Sequence, residues 1–256
     1  MTIRVQLVAS ASRAPSDAQF ATSYLVNDSV AIDAGSLGFM PDLDAQSRVR
    51  HVFLTHTHAD HVASLPVFLE NVFATAGECV TVWGSAAVLS SLRSDVFNDR
   101  VWPDLERLSS EGSRHVELRE LRAGQDVEVE GLRLTPVPMS HTVSTFGFVL
   151  QSGGAAVVLA SDTGPTQRLW EVANRLPALA AVFLEASFPD ALGELAAVSR
   201  HLTPATFQGE VRKLHAATRL IAVHIKPRYR EQVVRELQAL GLPGLEIGVV
   251  GRDYEF

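Results

Sequence analysis

Residues 54–61 read Leu-Thr-His-Thr-His-Ala-Asp-His, and they constrain the chain more than any other stretch. Three imidazoles and a carboxylate (His56, His58, Asp60 and His61) fall within six residues, too dense a polar cluster to be explained by packing. Residues 49–54, just before them, are apolar and β-branched, the pattern of a buried strand. Val62, Leu65, Val67, Phe68 and Leu69, just after them, carry helical spacing. The polar residues therefore belong to a turn leaving the strand's carboxyl end. His56 and His58 are two apart, so extended backbone turns both rings the same way. Asp60 and His61 are adjacent and project in different directions from the first helical turn. This suits two cations side by side, the histidine pair on one and Asp60 with His61 on the other. Neutral imidazole and carboxylate are ligands that zinc accepts, with manganese or iron admissible at the carboxylate-rich position.

The rest of the chain must supply a scaffold for that turn. Its 256 residues suffice for one large α/β domain, and none of the sequence reads as a linker, so residues 1–256 are expected to form a single domain. A net charge of −7 argues against a nucleic-acid partner, which calls for a basic face. Cys79 is the only cysteine, which excludes an intramolecular disulfide and a multi-thiolate metal site; it is expected as a small buried hydrophobe. No apolar run approaches a membrane span and the first residues do not read as a signal peptide, so a cytoplasmic location is expected.

A grammar recurs along the chain. Residues 3–8 alternate as a first strand, and 9–18 read as a loop. Residues 23–26 and 30–33 suggest a hairpin around Asn27 and Asp28, ending in Asp33. Helical spacing is expected over 42–48, over 85–97 with Ser85 as N-cap, and over 166–175, 203–216 and 230–240. Residues 115–121 and 126–135 alternate as a β pair. Four apolar strands then deliver a polar residue at or just beyond their ends: His141, Asp162, Glu185 and His224. In open α/β layers, sites gather at such ends. His201 differs, because it follows Arg200 and precedes a helix that Thr203 would cap and Pro204 would begin. A helix start converging with Arg200 and His201 would favour an anion, phosphate above all. Trp102 stands in an aromatic loop that Pro103 breaks; it could belong to a binding loop near the site or anchor the loop. His51, His115 and His215 read as structural or surface residues.

The H-x-H-x-D-H pattern in its strand–loop–helix setting resembles the metallo-β-lactamase superfamily. That resemblance implies a four-layer αββα sandwich with a dinuclear site. It implies that His141 completes the first metal set with His56 and His58, that His224 completes the second with Asp60 and His61, and that Asp162 bridges the two. It also favours Asp33 as a residue that hydrogen-bonds a ligand histidine. Two phosphodiesterase branches match the second half. Glu185-Ala186-Ser187-Phe188, His201-Leu202-Thr203 and the residues from His224 to Tyr229 look like the ribonuclease Z type. Ser161-Asp162-Thr163-Gly164-Pro165, the run from Leu184 to Pro189, His201-Leu202-Thr203-Pro204, His224-Ile225-Lys226-Pro227 and Phe97-Asn98 followed by Trp102-Pro103 look more like the class II 3′,5′-cyclic nucleotide phosphodiesterases. Arg200 stands where that class would lead one to expect Gly. The resemblance implies a zinc-type hydrolase that opens cyclic AMP or cyclic GMP to the nucleoside 5′-monophosphate. Asp60, His201 and Glu185 would be its catalytic groups, and Arg200, His201, Thr203 and Trp102 its substrate contacts. Its partner would be a small phosphodiester, and a homodimer is neither required nor excluded. The rivals are an RNA-processing nuclease, a lactonase or thioesterase, and a scaffold that binds metal without turnover.

Overall fold

The structure is a computed structural model that describes residues 2–10, 19–73, 79–110 and 114–256. Most of the loop read at 9–18 lies outside them. Two seven-stranded mixed sheets form among the described residues. The first contains β1 (Arg4–Leu7), β2 (Tyr24–Val26), β3 (Val30–Ile32), β4 (His51–Phe53), β5 (Val80–Ser85), β6 (Val116–Leu121) and, at its far edge, the last strand, Asp253–Glu255. The second contains β7 (Val127–Val129), β8 (Leu132–Pro138), β9 (Phe146–Ser152), β10 (Ala155–Leu159), β11 (Leu179–Glu185), β12 (Arg219–Val223) and β13 (Leu245–Ile247), in that order across the sheet.

Strand alternation separates the apolar residues into three cores. One lies between the sheets: Val26, Ile32 and Phe53 from the first meet Phe148, Val157, Phe183 and Ile221 from the second. Phe53 stacks on Trp83 at 5.4 Å and meets Phe148 edge-on at 5.7 Å, so a single ring ties the sheets together. Buried aromatics of this kind contribute about 3 kcal/mol or more. The alternate residues of the first sheet, Ala31, Val52, Val80 and Val82, face helical residues such as Leu65, Phe68 and Leu89. Those of the second, Val158, Val182 and Ala222, face Trp170, Phe207, Val233 and Leu237. The result is helix, sheet, sheet, helix, the four layers that the resemblance implied.

Capping agrees with the sequence at several starts. Asp42 accepts from Ala45 N, Ser85 from Val88 N, and Thr203 closes a reciprocal capping box with Thr206. Three expectations need correction. Residues 115–121 and 126–135 do not pair with each other: β6 runs parallel to β5 in the first sheet, whereas β7 and β8 form their own hairpin in the second. Glu130 and Gly131 both turn with positive φ, which closes that hairpin locally and leaves β6 to the other sheet. The helix read over 85–97 stops as an α-helix at Ser91 and widens into an i→i+5 turn over Leu92–Val96. Cys79 is half-exposed rather than buried. No helix among the described residues is long and apolar enough to cross a membrane.

In the first sheet β3 to β6 run parallel, as do β10 to β13 in the second. Their carboxyl ends meet along one rim. There Phe146 N donates to Thr55 O at 3.0 Å, stitching the two sheets beside the motif.

Candidate metal centre

The strands deliver their polar residues through strained exits. Asp33, Ser161 and His224 all have positive φ, between 53° and 61°. Non-glycine residues rarely adopt that region, and where they do the surrounding structure holds them there. Gly35 is required for a different reason. A Cβ there would lie 2.0 Å from the Asp60 carbonyl oxygen, so only glycine lets the motif turn sit this close to the end of β3.

Two sets of ligand-type atoms result. His56, His58, His141 and Asp162 place one atom each within 4.8 Å of one another, and Asp60, His61 and His224 do the same. Asp162 stands between them. Its Oδ1 faces His61 Nε2 at 3.3 Å and His224 Nδ1 at 3.5 Å. Its Oδ2 faces His56 Nε2 at 3.7 Å and His141 Nε2 at 3.9 Å. Each carboxylate oxygen is thus turned to one set.

Hydrogen bonds fix which imidazole nitrogen points inward. Asp33 accepts from Thr55 N and Thr55 Oγ1, both at 2.8 Å, and from His61 Nδ1 at 2.6 Å. The Thr55 hydroxyl gives its proton to Asp33, so at 2.9 Å it accepts from His56 Nδ1–H. Both rings therefore have Nδ1 occupied and turn Nε2 to the centre. The second sheet repeats the device. Glu185 accepts from His201 Nδ1 at 2.7 Å, Thr163 N at 2.8 Å, Ser187 Oγ at 2.6 Å and Leu202 N at 3.2 Å. Ser187, having donated to Glu185, accepts from His224 Nδ1–H at 3.0 Å. His141 is clamped by residue 200: its Nδ1 donates to the Arg200 carbonyl at 3.0 Å, and the Arg200 guanidinium donates to the His141 carbonyl at 2.8 Å.

The electrostatics fit bound cations. Burial, aided by neighbouring imidazoles, pushes His56 down to about 2, and burial also lowers His58 and His141. All three are thus held neutral, the form that ligates a metal. Burial works against charge at His61 too, but Asp162 and Asp33 outweigh it and raise that imidazole well above its ordinary value. Burial would likewise raise Asp162, yet His224 and His61 hold it well below the carboxylate range. Asp60 is lowered in the same way by His224 and His61 against its burial. Two buried atoms at the centre, His56 Nε2 and Asp162 Oδ1, have no hydrogen-bond partner among the described residues. Unsatisfied buried acceptors are costly, and a divalent ion held by each set would satisfy both.

His201 lies at the edge of this arrangement. It is buried, its ring is 5.0 Å from that of His141, and it stacks at 5.7 Å on His224. With Asp162 and His224 it forms a third grouping of ligand-type atoms. Burial would lower its imidazolium, but the hydrogen bond and charge of Glu185 outweigh burial and raise it.

Of the expected substrate contacts, His201 stays at the centre, and the other three are engaged in the fold. The Thr203 hydroxyl is engaged in capping its helix. The Arg200 guanidinium holds the His141 carbonyl. Trp102 packs on the outer core of the first sheet and lines a cavity with Leu69, Phe73, Pro103 and His115, apart from the histidine cluster. Three residues at the centre were not singled out by sequence reasoning. Thr55 and Ser187 carry ordinary hydroxyls, and only the strand-end position next to His56 or Glu185 hints at them. Lys226 places Nζ 3.0 Å from Asp60 Oδ2 and 3.4 Å from His224 Nε2; its signal was its position two residues beyond His224.

Comparison with known proteins agrees with the motif. The sequence profile of the Beta-lactamase superfamily domain matches residues 29–225. A probable 3′,5′-cyclic-nucleotide phosphodiesterase of Yersinia pestis is 26% identical over 215 residues, 74% of this chain and 61% of that protein. The chain therefore spans about three fifths of that relative's length. A ribonuclease Z of Geobacillus kaustophilus is 29% identical over 232 residues, covering 75% of each chain. Among solved structures, unliganded yeast PDE1 superposes with a TM-score of 0.80 at 16% identity, over 98% of this chain and 99% of that one.

Proposed function

Because the chain belongs to the beta-lactamase superfamily and carries two adjoining His/Asp sets, we propose that it is a dinuclear-metal phosphodiesterase whose substrates are 3′,5′-cyclic nucleotides. The products would be nucleoside 5′-monophosphates. The observation that carries this reading is Asp162, with one carboxylate oxygen turned to each set and the Glu185–His201 pair beside it. His56, His58, His141 and Asp162 would hold one divalent ion, and Asp60, His61, His224 and Asp162 the other; zinc suits this donor set, and manganese or iron is compatible with it. Bound there, the ions would supply Lewis-acid polarisation of the phosphodiester and an acidified water.

The chain's own residues do the rest. Asp33 and Thr55 lock His61 and His56, so the ligand geometry is set before a substrate arrives. Glu185 holds His201 as an imidazolium with its Nδ1 occupied, which leaves Nε2 to face a phosphoryl oxygen or to protonate the departing 3′ alkoxide. The helix start at Thr203 and Pro204 adds its positive end beside His201.

An RNA phosphodiester is the second reading, favoured by the ribonuclease Z relative that aligns over three quarters of both chains. The net charge of −7 speaks for the small substrate. The test is turnover of zinc- or manganese-loaded protein on 3′,5′-cyclic AMP, with bis-p-nitrophenyl phosphate and a structured RNA alongside. Release of 5′-AMP is the expected result. Cleavage of RNA without cyclic AMP would exchange the two readings. Cleavage of the synthetic diester alone would keep the metal chemistry and remove both substrates.

A further inference from the structure

The two ligand sets differ in their cationic neighbours. Lys226 Nζ contacts Asp60 Oδ2 at 3.0 Å and His224 Nε2 at 3.4 Å, atoms of two of the three residues in the second set. Beside the first set the cation is Arg200, and it donates to the main-chain carbonyl of His141 rather than to a ligand atom. The carboxylates differ too. Asp162 is buried, with 2% of its side chain exposed, whereas Asp60 is 30% and Lys226 31% exposed, at the mouth of the centre.

The position of Lys226 is fixed from behind. Its backbone N donates to Ser187 O at 3.2 Å, and Pro227 starts the short turn Pro227–Tyr229 directly after it. The side chain thus emerges two residues beyond a ligand, from the same strand exit. A lysine stem is flexible and its ammonium is a compact charge, so it can withdraw toward solvent when another cation takes the carboxylate. That exchange loses a charge-assisted contact and leaves two like charges near each other.

We propose that Lys226 makes the Asp60–His61–His224 set the weaker, exchangeable one of the two metal sites. It is a tethered competitor for Asp60, and loading of the second ion requires its displacement. The proposal rests on the two-ion reading of the centre but not on the identity of the substrate.

The test is zinc binding to metal-stripped protein, followed in competition with a chromophoric chelator, for wild type, Lys226→Met and Lys226→Arg. Wild type should bind in two separated steps. In Lys226→Met the first step should stay put and the second should tighten about ten-fold or more, the least expected for a unit charge beside a divalent ion under near-aqueous screening. Lys226→Arg should keep the steps apart. An unchanged or weakened second step in Lys226→Met, with the first intact, overturns the proposal. Should that variant lose both steps, the wild-type protein still decides: excess chelator must withdraw one zinc much faster than the other, and release of both in one phase overturns the proposal equally. Neither arm involves turnover, so failure on cyclic AMP would strike the proposed function and leave this result standing.

Discussion

Asp33 at the end of β3 and Glu185 at the end of β11 each hold one imidazole directly and a second through a hydroxyl. On the first sheet the chain of contacts is Asp33–His61 and Asp33–Thr55–His56. On the second it is Glu185–His201 and Glu185–Ser187–His224. The difference lies in what the held rings do next. His56 and His61 both belong to the two ligand sets, one to each. On the second sheet His224 joins a set, while His201 is left over at its edge. On the proposed reading, the carboxylate device would serve only metal retention at one end of the centre, while at the other it would also hold His201, whose imidazole Glu185 raises.

The largest effect should come where the two ends meet. Asp162→Ala removes the carboxylate that faces both sets, and both bound metal and phosphodiester turnover should be lost. Metal analysis after gel filtration checks this, and retention of two ions would separate the ends that the comparison joins. Glu185→Gln should next lower turnover by about 10²–10⁴-fold, the usual contribution of a positioned acid, even when metal is supplied in excess. Asp33→Asn should do the converse, weakening metal retention by about 10–100-fold and restoring turnover when metal is supplied in excess. If both variants fail in the same way, the division of labour between the ends is wrong.

The smallest expected effect concerns pH in the metal-stripped protein. Glu185 raises His201 above its ordinary value of 6.5 despite burial. A raised histidine contributes stability that is full below the unfolded value and fades as pH climbs through the folded one. The gap in urea midpoint between wild type and His201→Gln should therefore be widest below about pH 6.5 and narrow above it. A gap that grows with pH would mean that burial outweighs Glu185 and lowers His201 instead.

The residues that gather at the centre were legible because their chemistry is local: His56, His58, Asp60 and His61 share one turn, and each later member lies at or just beyond a strand end. The four layers followed from the family resemblance, most strands and helices from apolar runs and helical spacing, and the caps at Ser85 and Thr203 from residue type; the cap at Asp42 was not read from the sequence. What stayed hidden depends on contacts that composition does not encode. Thr55 and Ser187 are ordinary hydroxyls until the fold brings a carboxylate and an imidazole to either side of each. Ser187 and His224 are separated by 37 residues. Lys226 lies within the stretch from His224 to Pro227, but nothing local shows that its ammonium turns back to Asp60. The assignment of β6 and β7 to different sheets escaped for a similar reason: alternation marks a strand but does not name its neighbour.

The most direct measurement is metal content and cyclic AMP turnover of His201→Ala, made on the same preparation. Two ions per chain with turnover reduced about 10²–10⁴-fold is the expected result, with His201 an acid beside the metals. Loss of one ion would contradict it and make His201 a ligand, as its grouping with Asp162 and His224 permits.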